Sequence, residues 1–286
     1  MKVLNFMVGS DRHLGIYTDE GIIDVTAAAQ TVEGLPASMD ALFSSGAAGL
    51  EKLAELSKKA DRFLPEAEIQ YAPCVANPEK ILCVGLNYIS HSKEVEMKIP
   101  DYPVLFSKFN NALTGHNHPI NLPASAYMFD YEAELVIVIG KTGKNIFPEE
   151  ALDYVFGYTL GNDVSARDLQ LRTGQWLLGK TCDGFAPVGP CITVGESINS
   201  DALEIECRVN DEIKQHSNTS KMMFNCAEII SYASQFMTLK PGDLIFSGTP
   251  EGVVMGYPEG ERNWLKAGDS VSVTIEKLGT LTNHFI

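Results

Sequence analysis

Apolar residues in the first 75 positions fall into three short runs, Val3–Val8, Leu14–Tyr17 and Gly21–Val25. Turn signals at Gly9-Ser10 and Asp19-Glu20 separate them, so the pattern predicts strands. Met39–Phe43 and Gly49–Leu64 have a different period: Leu50, Leu53, Leu56 and Phe63 recur at helical spacing with charges between them. Pro65 and Pro73 punctuate the exit, and Ile69–Pro73 reads as a linker strand. Beyond residue 80 the chain becomes many short apolar runs between Gly, Pro, Asn and Asp turns. They are Ile81–Val84, Val104–Phe106, Leu135–Ile139, Val155–Leu160, Pro190–Val194, Leu203–Val209, Asp243–Phe246 and Ser270–Ile275. Fewer segments predict helix: Pro148–Asp153, Ala166–Arg172 and Cys226–Phe236, the last with Ile229, Ile230, Ala233 and Phe236 as its apolar stripe. Strand-rich sequence with scattered helices implies an α+β, mainly β fold rather than a doubly wound one. Residues 1–75 are expected to form a small N-terminal α+β domain, and residues 76–286 the main domain.

One run breaks the usual rule for buried strands. In Glu132-Ala-Glu-Leu-Val-Ile-Val-Ile139, alternation places Glu132, Glu134, Val136 and Val138 on one face and Ala133, Leu135, Ile137 and Ile139 on the other. Both faces look buried, yet one carries two carboxylates. Their repulsion and lost hydration cost on the order of several kcal/mol unless compensated. A divalent cation is the simplest compensation.

Composition narrows the partners. The 286 residues carry a formal net charge of −15 and a pI near 4.8. Nucleic acid and anionic membranes are therefore poor partners, because phosphates are met by lysine and arginine. No stretch approaches a transmembrane helix, and the N-terminal apolar run is too short for a signal-peptide core. The six cysteines include no Cys-x-x-Cys pair and sit among apolar neighbours, as expected of reduced, mostly buried thiols in a cytoplasmic protein.

Three further segments carry candidate chemistry. Asp163 lies just past the strand that ends near Leu160. It is either a helix N-cap or a third carboxylate ligand, and an early helix start would align it with Arg167 and Gln170. Lys180, between Trp176-Leu-Leu178 and a Gly/Pro-rich turn, is either a snorkelling surface lysine or a buried ammonium meeting an anion. His91 and Glu94, spaced i and i+3, form a possible proton-accepting pair in a polar, lid-like segment, or a solvated helix face. His116 and His118, beside Gly115 and Pro119, are expected to decorate a turn.

Taken together, these segments closely resemble the fumarylacetoacetate hydrolase family. The resemblance rests on Val84-Gly85-x-Asn87-Tyr88-x-x-His91, Tyr131-Glu132-Ala-Glu134-Leu, Asp163-Val-Ser-Ala-Arg167-Asp168, Gly179-Lys180-x-x-Asp183 and Pro241-Gly-Asp-Leu-Ile-Phe-Ser-Gly-Thr249-Pro-x-Gly252, in family order over about residues 80–286. Phe106-Ser-Lys-Phe109 and Gln175–Thr181 look most like its domain-containing protein 2, acylpyruvase-like branch. The resemblance implies a mixed β-roll/β-sandwich catalytic domain, usually dimeric, with Mg²⁺ or Mn²⁺ held by Glu132, Glu134 and Asp163. It implies a lid dyad of His91 and Glu94, with Gln170 and Lys180 completing the catalytic set. Tyr88, Arg167 and Thr249 are the implied substrate-binding residues. Leu86 and Ser247 stand where many members carry arginine and threonine. The expected activity is metal-dependent hydrolysis of C–C bonds in acylpyruvate-type 2-oxo acids. Oxaloacetate decarboxylation or keto–enol tautomerisation at the same site is the alternative, and a non-catalytic ligand-binding module the remote one.

Overall fold

The computed structural model describes residues 1–195 and 198–286. Its strands are β1 (Lys2–Val8), β2 (Asp11–Thr18), β3 (Gly21–Asp24), β4 (Ile81–Gly85), β5 (Val104–Lys108), β6 (Ala133–Ile139), β7 (Val155–Asn162), β8 (Ala186–Thr193), β9 (Glu204–Val209), β10 (Glu212–Asn218), β11 (Leu244–Phe246), β12 (Ser270–Ile275) and β13 (Gly279–Phe285). An 11-stranded sheet follows the order β3-β2-β1-β8-β7-β6-β11-β4-β5, with two dipeptide strands paired beside it. A second sheet runs β10-β9-β12-β13 and ends on Pro119–Ile120. Helices are α1 (Met39–Lys59), α2 (Ile89–Glu94), α3 (Arg167–Gln170), α4 (Leu177–Lys180) and α5 (Cys226–Phe236). The chain is mainly β, as the sequence pattern predicts.

Strand β6 lies in the interior of the large sheet. It pairs antiparallel with β7 and with β11, and every one of its residues is buried. Its alternation divides the interior: Ala133, Leu135, Ile137 and Ile139 join the apolar cluster on one face, whereas Val136 and Val138 join the cluster on the other. The first cluster holds α5 and the second sheet. The second holds α1 and the N-terminal strands.

Residues 1–75 share this sheet and core. Lys2 and Val3 of β1 pair with Thr193 and Ile192 of β8, and Val3, Leu14 and Leu42 pack in the cluster that contains Val136. The Gly49–Leu64 expectation ran too far: α1 ends at Lys59, and Leu64 instead exchanges backbone hydrogen bonds with Ile22. The Pro148–Asp153 segment is a 3₁₀ helix over Pro148–Tyr154. All six cysteines are free, and all but Cys182 are buried. Burial pushes the Cys74 and Cys226 thiols up to about 12, so they remain protonated and inert near neutrality.

Candidate metal centre and active site

Register assembles the carboxylates. Ala133 of β6 stands opposite Asn162 of β7, and the Asp163 N–H donates to the Glu132 carbonyl at 2.9 Å. The Glu132 N–H in turn donates to the Asn162 side chain at 2.9 Å. Asp163 is thereby fixed beside Glu132, and the two strand glutamates already share a face. One oxygen from each of Glu132, Glu134 and Asp163 lies within 4.8 Å of the others, and all three residues are buried. Among the described residues this is the one such cluster of histidine, cysteine or acidic groups.

Asp163 is neither in a helix nor a helix cap. Ser165 and Ala166 after it pair with Asp130 and Phe129, which delays α3 to Arg167, capped by Ala166 without a side-chain bond. Asp163, Arg167 and Gln170 still converge, but through strand pairing rather than a helical face. His116 and His118 lie away from the cluster: His116 Nδ1 accepts from the Thr282 N–H, and His118 Nε2 meets the Tyr71 carbonyl.

Three buried cations face the carboxylates. Lys180 Nζ donates to Glu132 Oε2 at 2.7 Å and to Asp163 Oδ2 at 2.9 Å. Arg167 donates to Asp130 Oδ2 at 2.9 Å, to Glu132 Oε1 at 2.6 Å and to Gln170 Oε1 at 2.9 Å. Lys108, at the end of β5, lies 2.6 Å from Asp163 Oδ1, but its donated hydrogen bonds go to the carbonyls of Val164, Phe185 and Lys180. Asp163 Oδ1 is thus buried beside a cation yet accepts no hydrogen bond.

The shifts follow from these contacts. Burial favours the neutral acid of Glu132, but the charges of Lys180 and Arg167 outweigh it and hold that carboxyl well below the ordinary range. Glu134 goes the other way: burial, then the charges of Asp163 and Glu132, push it well above the ordinary value. Its one hydrogen bond, from the Gly248 N–H at 2.7 Å, does not offset them. Gly248 presents that N–H with φ at 98°, in the region that favours glycine. Burial works against the charge of Lys180, and Asp163 and Glu132 reverse that and raise its pKa.

These residues fit a hard divalent cation. The donors are all carboxylate oxygens, one of them is an orphaned buried acceptor, and burial together with its anionic neighbours raises the pKa of Glu134 well above the ordinary value.

Above the cluster is a cavity with about 30 Å³ of room for water. Glu132, Glu134, Arg167, Gln170, Lys180, His91 and Thr249 contribute to its wall, with Leu86, Trp176 and Met255 among its apolar lining. Tyr88 does not line it. That side chain is fully buried, and its backbone is bridged to Met222 after Leu86, which adopts φ 60°. Helix α2 forms the roof. His91 Nδ1 and Glu94 Oε2 face each other at 3.5 Å, outside hydrogen-bond geometry, and among the described residues neither atom has another partner. Glu94 Oε1 accepts the Gly252 N–H at 2.9 Å, and Ser90 donates to Glu251, so two contacts latch the roof to the 251–252 loop.

Three structural residues escaped the sequence reading: Asp130, Lys108 and Gln215. Asp130 accepts from Arg167 and from the Tyr131, Val254 and Met255 N–H groups. The period-two spacing Asp130, Glu132, Glu134 was a readable signal for it. Lys108 carried a weaker one, a lysine in an apolar strand.

Residues 80–286 match the fumarylacetoacetate (FAA) hydrolase C-terminal family, and the chain belongs to that family. It is 40% identical over 278 residues, 96% of this chain and 86% of the relative, to the mitochondrial oxaloacetate tautomerase fahd2 of Xenopus laevis. Among solved structures it resembles the fumarylacetoacetate hydrolase of Exiguobacterium antarcticum, with a TM-score of 0.81 and 32% identity over 100% of this chain and 99% of that one. The maleylpyruvate hydrolase of Sphingobium sp. SYK-6, in complex with manganese(II) and pyruvate, matches with a TM-score of 0.82 and 29% identity over 100% and 99%. The relatives are thus enzymes of one superfamily with different reactions. No helix among the described residues is long and apolar enough to cross a membrane.

A raised Glu134 makes metal binding proton-linked. Its neutral form must ionise to ligate, so Mn²⁺ binding below that carboxyl's folded pKa should release a proton and strengthen as pH rises towards it. In the metal-free protein the same shift contributes stability below about pH 4.3, the ordinary glutamate value, and loses it as pH rises through the folded pKa. Calorimetry of Mn²⁺ binding in buffers of different ionisation enthalpy measures the release; a heat independent of buffer would contradict it.

Proposed function

We propose that the chain is a Mg²⁺- or Mn²⁺-dependent enzyme that acts on small 2-oxo acids through their enolates, with keto–enol tautomerisation of oxaloacetate as its reaction. The observation that carries this reading is the enclosed triad of Glu132, Glu134 and Asp163 facing Lys180, Arg167 and His91 in one cavity. The tautomerase relative, aligned over 96% of the chain, favours tautomerisation over acylpyruvate hydrolysis as the first choice. A non-catalytic module has no use for a roofed imidazole beside a buried cation.

Proton transfer is then the chemistry that these side chains must supply. His91, which lines the cavity, takes a proton from carbon 3 of the keto acid, and Glu94 beside Nδ1 stabilises the imidazolium that results. Lys180 has used two of its three donors on Glu132 and Asp163, so one remains for an anionic oxygen. Gln170 is oriented by Arg167, which can only donate. Its Oε1 faces the guanidinium and its amide N–H groups are free for substrate. A bound divalent cation would supply Lewis acidity, lowering the cost of negative charge on the 2-oxo oxygen. Return of the proton to that oxygen completes the isomerisation with no atom gained or lost.

The Sphingobium neighbour keeps hydrolysis as a second reading, because the same His91–Glu94 pair could deprotonate water. Enol absorbance and product analysis with oxaloacetate and acetylpyruvate separate the two. Wild type with Mg²⁺ should speed keto–enol equilibration of oxaloacetate without releasing pyruvate. His91→Ala should be slower by about 10²-fold or more. Undiminished equilibration in that variant would remove His91 from the role, and rapid cleavage of acetylpyruvate alone would favour hydrolysis.

A homodimer accompanies this reading. Strand β5 is an edge of the large sheet, and beside it Tyr102 and Phe236 are 68% and 62% exposed in a stack with Tyr232. Light scattering should give twice the chain mass of 31.2 kDa. Tyr102→Glu/Phe236→Glu should shift it to monomer, and a monomeric wild type would end the idea.

A further inference from the structure

Gln215 lies on β10 of the second sheet, in Glu212-Ile-Lys-Gln-His-Ser-Asn218, a segment too polar to suggest a role in the site. It is 1% exposed. Its amide is completely used. Oε1 accepts the Ala133 N–H at 3.0 Å, between the two ligand glutamates, and Nε2 donates to the Pro250 carbonyl and to Thr249 Oγ1, each at 2.9 Å. A backbone N–H can only donate and a carbonyl can only accept, so the amide has one possible orientation. The second Nε2 proton must therefore point at Thr249 Oγ1, and the Thr249 hydroxyl proton cannot point back. Among the described residues that hydroxyl donates to no protein group, while Thr249 lines the cavity. Gly252 (φ 102°) packs on the Lys214 carbonyl, which holds the 249–252 loop against β10.

We propose that Gln215 is a positioning residue: it fixes the Thr249 hydroxyl as a hydrogen-bond donor into the cavity, where it meets an anionic oxygen of the substrate. This rests on the 2-oxo acid reading above. It also gives the second sheet a task in the site, since one amide ties the ligand strand and the substrate-facing loop to β10. A hydroxyl free to rotate could turn its lone pairs towards the anion; one that already accepts from Nε2 has its proton directed away from Gln215.

The probe is oxalate, a planar dianion shaped like the carboxylate and 2-oxygen of a 2-oxo acid enolate, titrated into Mn²⁺-loaded protein by calorimetry. Thr249→Val should weaken oxalate about tenfold, the size of one hydrogen bond to a charged group. Gln215→Met should weaken it about fivefold when Thr249 is present and by less than about twofold in the Thr249→Val background, with Mn²⁺ affinity held within about threefold. Thr249→Ser, which keeps the hydroxyl, should bind as wild type does. Should Gln215→Met not fold, Gln215→Glu keeps an acceptor for Ala133; the Thr249→Val background isolates its added charge, and its excess effect must likewise depend on the hydroxyl. Equal weakening in both backgrounds would overturn the role of Gln215 while leaving the 2-oxo acid reading standing. Failure of wild type to bind oxalate would overturn both.

Discussion

Buried negative charge is the constraint around which this fold is arranged. Asp130, Glu132, Glu134 and Asp163 face Lys108, Arg167 and Lys180, four carboxylates against three cations, in a place where water is scarce. Hydrogen bonds from Arg167 and Lys180 satisfy Glu132, and the deficit falls on Glu134 and Asp163. A divalent cation converts that deficit into a surplus of one positive charge, which suits an anionic 2-oxo acid. The chain's investment in buried lysines is explained by the same arithmetic. Each of them holds a carboxylate in place and would be costly without it.

The apolar scaffold was largely readable from the sequence because it obeys simple periods. Period two across Glu132 and β6 located two of the three clustered carboxylates and both faces of the sheet, and helical spacing located α5. What failed lay where tertiary pairing overrides local pattern. Asp163 looked like a residue leading into a helix, but Ser165 and Ala166 pair with Asp130 and Phe129, and the Val164 N–H bonds to the Asn162 carbonyl in a tight turn around Asp163. Tyr88 sits in a motif with pocket residues, yet its side chain is fully buried and outside the cavity lining. Strand β10 has almost no apolar periodicity, so neither the strand nor Gln215 could be found from it. Lys180, ambiguous as a lysine near a turn, proved to be a buried ammonium 5.2 Å from the Phe106 ring centroid.

Enclosure divides the labour. The rigid sheets supply carboxylates, cations and, through Gln215, the orientation of Thr249. The roof supplies the imidazole and, when latched by Glu94 and Ser90 to the 251–252 loop, excludes water. The relatives' names cover tautomerase and hydrolase reactions on one fold.

Enolate formation can be observed without committing to any one product. In D₂O, the methyl protons of pyruvate should exchange with solvent when the protein and Mg²⁺ are present, as followed by proton NMR. Exchange should return to the uncatalysed rate in EDTA and in Glu134→Gln. Exchange that persists at full rate in metal-free protein, or in Glu134→Gln, would contradict a metal-compensated carboxylate site as the source of the chemistry.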